Sequence, residues 1–92
     1  MEVIEIVINN EDELYEHVED IEEGDYFEAY FGRCHVEGVV VCREDTFFRL
    51  DTKKDVLGLI EFELTDVLNQ LIEVAYIKHD ADSVRKVLKL IE

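Results

Sequence analysis

Four glutamates occupy strand-like stretches of the chain, at Glu5, Glu28, Glu37 and Glu61. If neighbouring strands bring them into line, near Arg33, Arg43, Arg49 or His35, their shared negative charge invites a cation. The simpler reading is that each pairs with a basic side chain or reaches the rim of a sheet. The loop Lys78-His79-Asp80-Ala81-Asp82 carries a His/Asp set with metal-ligand chemistry, yet Asp80 and Asp82 serve equally well as helix caps. The acids between Asp20 and Asp25 miss the Asp-x-Asp-x-Asp-Gly spacing of a calcium loop. No metal or cofactor is therefore expected, and a carboxylate metal site stands only as an alternative.

Nucleophilic catalysis has little to work with. Ser83 is the only serine and falls where a helix is expected to begin, so a serine triad has no natural place. Cys34 and Cys42 have no neighbours in sequence that would favour a thiolate. On one strand they would stand roughly 26 Å apart at about 3.3 Å per residue, and in a hairpin turning at Glu37-Gly38 they would miss each other in register. Two free thiols fit a reducing compartment. Gly24, Gly32, Gly38 and Gly58 never form a phosphate-cradling loop. The residues name no reaction, and a non-enzymatic protein is expected.

The strongest anomaly is electrostatic. Residues 1–25 hold eleven acids and no Lys or Arg, while the remaining 67 residues hold thirteen acids against nine bases, for a net charge of −15. Glu11, Asp12, Glu13, Glu16, Glu19, Asp20, Glu22 and Glu23 leave the exposed side of one helix wholly anionic. Acids in its first turn agree with the helix dipole; those near its end oppose it. A face that only needed solubility would mix signs. These eight residues are the candidate docking surface for a strongly basic protein. The same charge repels nucleic acid and anionic membranes. No run of 18 apolar residues exists, and the start lacks a basic signal-peptide region, so a cytoplasmic address is expected.

Residues 1–92 read as a single domain, with no proline, linker or repeat. Residues 2–8 alternate as a strand. Asn10 and Glu13 suit the N-cap and N3 of a helix over about 11–23, with Leu14, Val18 and Ile21 inward and Gly24 at its end. YFEAYF at 26–31, CHVEGVVVC at 34–42, TFFRL at 46–50 and VLGLIEFEL at 56–64 read as strands. Thr65 would cap a second helix over about 66–78, and Asp80 or Asp82 a third over about 82–91. The expected fold is α+β: a mostly antiparallel sheet with three helices, in the order β-α-β-β-β-β-α-α.

Apolar residues look too numerous for one copy. One strand parity is almost wholly apolar, but the other also carries Val3, Val7, Tyr26, Tyr30, Val39, Val41, Phe47 and Leu59 among its glutamates. Between 67 and 77, eight of eleven positions are apolar, which for a helix means burial nearly all round. A homodimer with a large apolar interface follows, of a kind that commonly exceeds roughly 2,000 Å².

In length, charge, the acid-only start from Glu2 through Asp25 and strand order, the chain resembles a family of small acidic archaeal orphan proteins. The resemblance implies an α+β homodimer whose sheets are completed by strands of the second subunit, a basic protein partner and no assigned activity. The reading is a homodimeric, non-enzymatic acidic interaction protein. The alternative is a nucleic-acid mimic that inhibits a nucleic-acid-binding protein.

Overall fold

The computed structural model describes residues 2–53, 58–80 and 84–90. Along the chain run β1 (Glu2–Ile8), α1 (Glu11–Val18), β2 (Tyr26–Phe31), β3 (Cys34–Glu44), β4 (Phe47–Asp51), β5 (Leu59–Glu63), a 3-10 helix (Leu64–Gln70), β6 (Leu71–Ile77) and β7 (Val84–Leu90). The seven strands form one sheet in the order β1-β7-β6-β2-β3-β4-β5. Only β1 and β7 pair in parallel; every other neighbouring pair is antiparallel.

This corrects the expected three-helix α+β fold. Residues 71–77 form a central strand between β2 and β7, not the second helix, and residues 84–90 form β7, not a third. A short apolar run reads as a helix buried all round or as a strand buried in mid-sheet, and periodicity alone does not separate them. Val74, Tyr76 and Ile77 are β-branched or aromatic, which favours the strand. Thr65 therefore opens only a 3-10 helix, with its N–H on the Glu63 carboxylate. Asp80 sits in a turn after β6 and caps no helix; Asp82 and Ser83 lie outside the described residues.

The first helix begins as expected and ends early. Asn10 accepts the Glu13 N–H at 2.9 Å, and the Glu13 carboxylate accepts the Asn9 N–H at 3.1 Å. Leu14, Val18 and Ile21 are fully buried, but the helix stops at Val18. Glu19, Asp20, Glu22 and Glu23 would have stood at the negative end of its dipole. The chain instead turns there, and the Arg43 guanidinium takes the Glu19 and Ile21 carbonyls at 3.1 and 2.7 Å.

Arg43 reaches that position through an irregularity in β3. The register against β4 shifts between Val40 and Cys42, so Val40 pairs with Leu50 and Arg43 with Phe48. The guanidinium lies 5.6 Å from the Phe48 ring centre. Gly32-Arg33 makes the β2–β3 turn, so Gly38 lies in mid-strand, where any Cβ would stand 2.6 Å from the Asp51 carbonyl. Cys34 and Cys42 share this strand, and both are free.

One sheet face carries the core. Phe27, Ala29, Val40, Phe48, Leu50, Phe62, Val74, Tyr76 and Leu88 are buried beneath Leu14, Val18, Ile21 and Leu64. Phe27 stacks on Phe48 with centroids 4.7 Å apart. The chain exposes 5751 Å², close to the roughly 5,500 Å² of a compact monomer of this size. All seven strands of the sheet come from one chain and pair without a strand from a second subunit. Phe27→Ala should cost about 3–5 kcal/mol, because it removes the ring at the centre of this layer. Denaturant unfolding with an unchanged m-value will show it.

Candidate functional site

The eight acids singled out in the sequence do not form one helix face. Glu11, Asp12, Glu13 and Glu16 lie on α1, and Glu19, Asp20, Glu22 and Glu23 on the turn that follows. Three are engaged. Glu13 caps the chain start of α1. Asp20 accepts the Tyr76 hydroxyl at 3.0 Å and stands 3.7 Å from Lys86. Glu22 pairs with Lys78 at 3.1 Å. The carboxylates of Glu11, Asp12, Glu16, Glu19 and Glu23 are exposed and have no hydrogen bond or ion pair among the described residues. The structure thus keeps five free charges outward while cations hold the segment from its inner side.

The inner attachment centres on Asp25, which the sequence reading passed over as one more acid. It is fully buried. Its Oδ1 takes the His79 N–H at 2.9 Å and lies 2.7 Å from His79 Nδ1. Its Oδ2 takes the Glu22 N–H at 2.9 Å and Lys78 Nζ at 2.8 Å. Lys78 also reaches the Asp20 carbonyl. Burial pushes the Asp25 carboxyl up, but Lys78, the Glu22 N–H and His79 together hold it below its ordinary range. The hydrogen bond to Asp25 raises His79. Burial lowers Lys78, and the bonds to Asp25 and Glu22 more than reverse it.

Gly24 makes room for this arrangement. Its φ of +99° is open to glycine at little cost, and any Cβ would press within 3.4 Å of the His79 ring. On either side, the Gly24 N–H donates to the Val40 carbonyl and the Val40 N–H to the Asp25 carbonyl, both at 2.8 Å. A cleft of about 470 Å³ opens beside the node, lined by Ile21, Glu22, Glu23, Arg43 and His79. Arg43 faces it with its guanidinium already committed to backbone carbonyls. Cys34, the exposed thiol, stands at the distant β2–β3 turn and does not line this cleft.

The four strand glutamates separate. Glu5 lies 3.4 Å from Lys89, and Glu61 accepts from Arg49 at 2.9 Å. Glu28 and Glu37 are opposite one another across β2 and β3, on the sheet face that carries no helix. Arg85 donates to Glu28 and the Tyr26 hydroxyl to Glu37. Burial, then the Glu37 and Glu28 carboxylates, push the Tyr26 hydroxyl well above its usual range. His35 is two residues from Glu37 on the same strand, and its ring stacks on Tyr30 at 4.3 Å. Arg33 sits in the turn and Arg43 on the core side, so neither joins this group.

The chain matches, over residues 4–86, the family described as an uncharacterized protein conserved in archaea (DUF2097), and it belongs to that family. It is 37% identical over 71 residues to the uncharacterized protein MJ0540 of Methanocaldococcus jannaschii, a match covering 77% of this chain and 81% of the relative. No solved structure matches. The family's archaeal, orphan character agrees with the resemblance drawn from size and charge, and its name assigns no enzymatic activity. Among the described residues, no helix is long and apolar enough to cross a membrane.

The Asp25 node gives a pH signature with a definite sign. A depressed carboxyl adds stability that is present above its ordinary value of 3.8 and lost as pH falls through its lower folded value. A raised imidazole adds stability that is full below 6.5 and lost as pH rises through its higher folded value. The node is therefore strongest between about pH 4 and 6.5. Thermal unfolding from pH 3 to 9 should show both limbs. Asp25→Asn should weaken both and cost about 3 kcal/mol near pH 6, and His79→Ala should flatten the neutral-to-alkaline decline.

Proposed function

We propose that this protein is a non-enzymatic, cytoplasmic adaptor that presents a rigid anionic edge to a basic protein. The observation that carries the reading is the set of five unpaired carboxylates, Glu11, Asp12, Glu16, Glu19 and Glu23, on a segment anchored by buried Leu14, Val18, Ile21 and Asp25. Like charges this close repel, and among the described residues no counter-ion side chain relieves them. A basic partner would relieve them on contact, and complementary fields would speed its encounter. Glu13, Asp20 and Glu22 belong to the same edge but act first as structural ties.

Neutralising the five together (Glu11→Gln, Asp12→Asn, Glu16→Gln, Glu19→Gln, Glu23→Gln) should leave the fold intact, because the few tenths of a kcal/mol of dipole attraction lost at Glu11 and Asp12 offset the repulsion relieved at the other three. The same variant should lose a basic partner that the wild type retains at about 50 mM salt and releases at several hundred millimolar. Co-purification from the native host at both salts, read by mass spectrometry, is the measurement. Equal recovery with the variant would end the reading. Displacement of that partner by duplex DNA would instead point to mimicry of nucleic acid.

We also propose that the adaptor is a homodimer joined at the β1 edge. β1 pairs on one side only, with β7, and leaves Val3, Ile4 and Val7 at 53%, 38% and 55% exposure. A seven-residue apolar edge strand is a template for another strand, and a second copy offers the same strand about a two-fold axis. The exposed Glu5 and Lys89 beside it are self-complementary in charge under that symmetry. Val3→Lys with Val7→Lys should give monomers by sedimentation, with unfolding little changed. A wild type that sediments as a monomer at tens of micromolar would exclude the dimer.

A further inference from the structure

We infer that Glu28, His35 and Glu37 form a site for a divalent transition-metal ion, with zinc the best fit. The inference stands apart from the acidic edge and from the β1 contact, since the site lies on β2 and β3 in mid-sheet.

The ligand atoms of the three side chains lie within 4.8 Å of one another. The register produces this. Glu28 and Glu37 are direct cross-strand partners, and His35 precedes Glu37 by two residues, so all three point to the same face. Ligands of a tetrahedral ion at about 2.1 Å stand roughly 3.4 Å apart, a spacing these side chains reach by small rotations. An imidazole with two carboxylates suits zinc better than calcium or magnesium, which favour all-oxygen shells.

Each ligand has its own orienting neighbour. The hydrogen bonds to the two glutamates fall on Oε2 in both cases, from Arg85 to Glu28 and from Tyr26 to Glu37. The Tyr26 hydroxyl also lies within reach of Glu28, so it is the second oxygen of Glu37 that is left to a further partner. His35 makes no hydrogen bond among the described residues, yet its ring plane is fixed, 9° from parallel against Tyr30. Outer partners that aim first ligands in this way are the usual companions of a metal site. Charge agrees as well. Two carboxylates against one guanidinium leave the group one negative charge in excess, on a sheet face where directly opposed acids are otherwise unfavourable.

The other mixed cluster, Glu22, Asp25 and His79, is a poorer candidate. Both Asp25 oxygens are fully used by the backbone, Lys78 and His79.

The test is calorimetric titration of metal-stripped protein with zinc chloride, beside His35→Ala, Glu37→Gln, Tyr30→Leu and His79→Ala. One zinc per chain is expected. His35→Ala and Glu37→Gln should bind at least 100-fold more weakly, Tyr30→Leu about 10-fold more weakly, and His79→Ala as tightly as wild type. The His35 ring nitrogen resonances should shift on zinc addition. Circular dichroism confirms that each variant folds, which the exposure of His35 favours. The proposal is overturned if the wild type binds no zinc, if His35→Ala binds as well as wild type, or if His79→Ala removes the site.

Discussion

A buried carboxylate decides how the acidic start of this chain meets the sheet. Asp25 takes four donors from three residues, Glu22 on its own segment and Lys78 and His79 at the end of β6. An ionised carboxylate without partners could not stay in that place, since its desolvation costs several kcal/mol. With them, it ties the turn after α1 to the centre of the sheet, one residue before β2 begins. The remaining ties are graded around it. Lys86 stands near Asp20 at longer range, and Arg43 collects the carbonyls left open by the short helix. Of the eleven acids in the first 25 residues, Asp20, Glu22 and Asp25 are met by Lys86 and Lys78, and the fully buried one is Asp25.

The two sheet faces then take different chemistry from the same strands. On the core face, Phe27, Phe48 and Phe62 pack ring to ring beneath α1 and the 3-10 helix. On the open face, opposite charges alternate between strands, as Glu5 with Lys89, Glu28 with Arg85 and Arg49 with Glu61. The exposed pairs, Glu5 with Lys89 and Arg49 with Glu61, contribute little to stability, about 0–1 kcal/mol each, whereas Glu28 with Arg85 is half-buried. Ala75 and Val87 are nevertheless buried there, paired with one another and flanked by Glu28 and Glu5 on the neighbouring strands. The apolar surplus counted in the sequence is thus mostly absorbed within one chain; of what remains exposed, Val3, Ile4 and Val7 lie at the β1 edge and Val41, Leu59 and Ile72 on β3, β5 and β6.

Much of this arrangement was legible in the residues. The strands over 2–8, 26–31, 34–42 and 46–50 and the Asn10–Glu13 cap follow from alternation and capping chemistry, and they are in place; the strand read over 56–64 is shorter, Leu59–Glu63, with Leu64 already in the 3-10 helix and residues 56 and 57 outside the described ones. The apolar parity of those strands named the core face. The last third of the chain was misread, because Leu71–Ile77 is buried by neighbours on both sides and so loses the alternation that marks a strand. In β7 the apolar positions 84, 87 and 88 also match a helical stripe, whereas pairing with β1 and β6 decides the outcome. The bulge after Val40 was equally hidden. No residue type announces it, yet it turns Arg43 from the open face to the core face.

Asp25 and His79 show why sites are harder to read than strands. Their partnership spans 54 positions, and only the folded register of β2 against β6 brings them together. The nearest sequence signal was Gly24, whose positive φ and bare Cα face the His79 ring. Glu28, His35 and Glu37 were easier. Their spacing around a two-residue turn at Gly32-Arg33 already puts them on one face once the hairpin is granted. The contrast follows from contact distance along the chain. Local pairing is fixed by turn chemistry, and a residue pattern can express it. Long-range pairing depends on which strands become neighbours, and here that rests on burial of an apolar run whose type the pattern left open. The charge-rich start is the opposite case: its composition was plain from the outset, but which of its carboxylates are engaged depends on where Lys78, Lys86 and Lys89 arrive from distant parts of the chain.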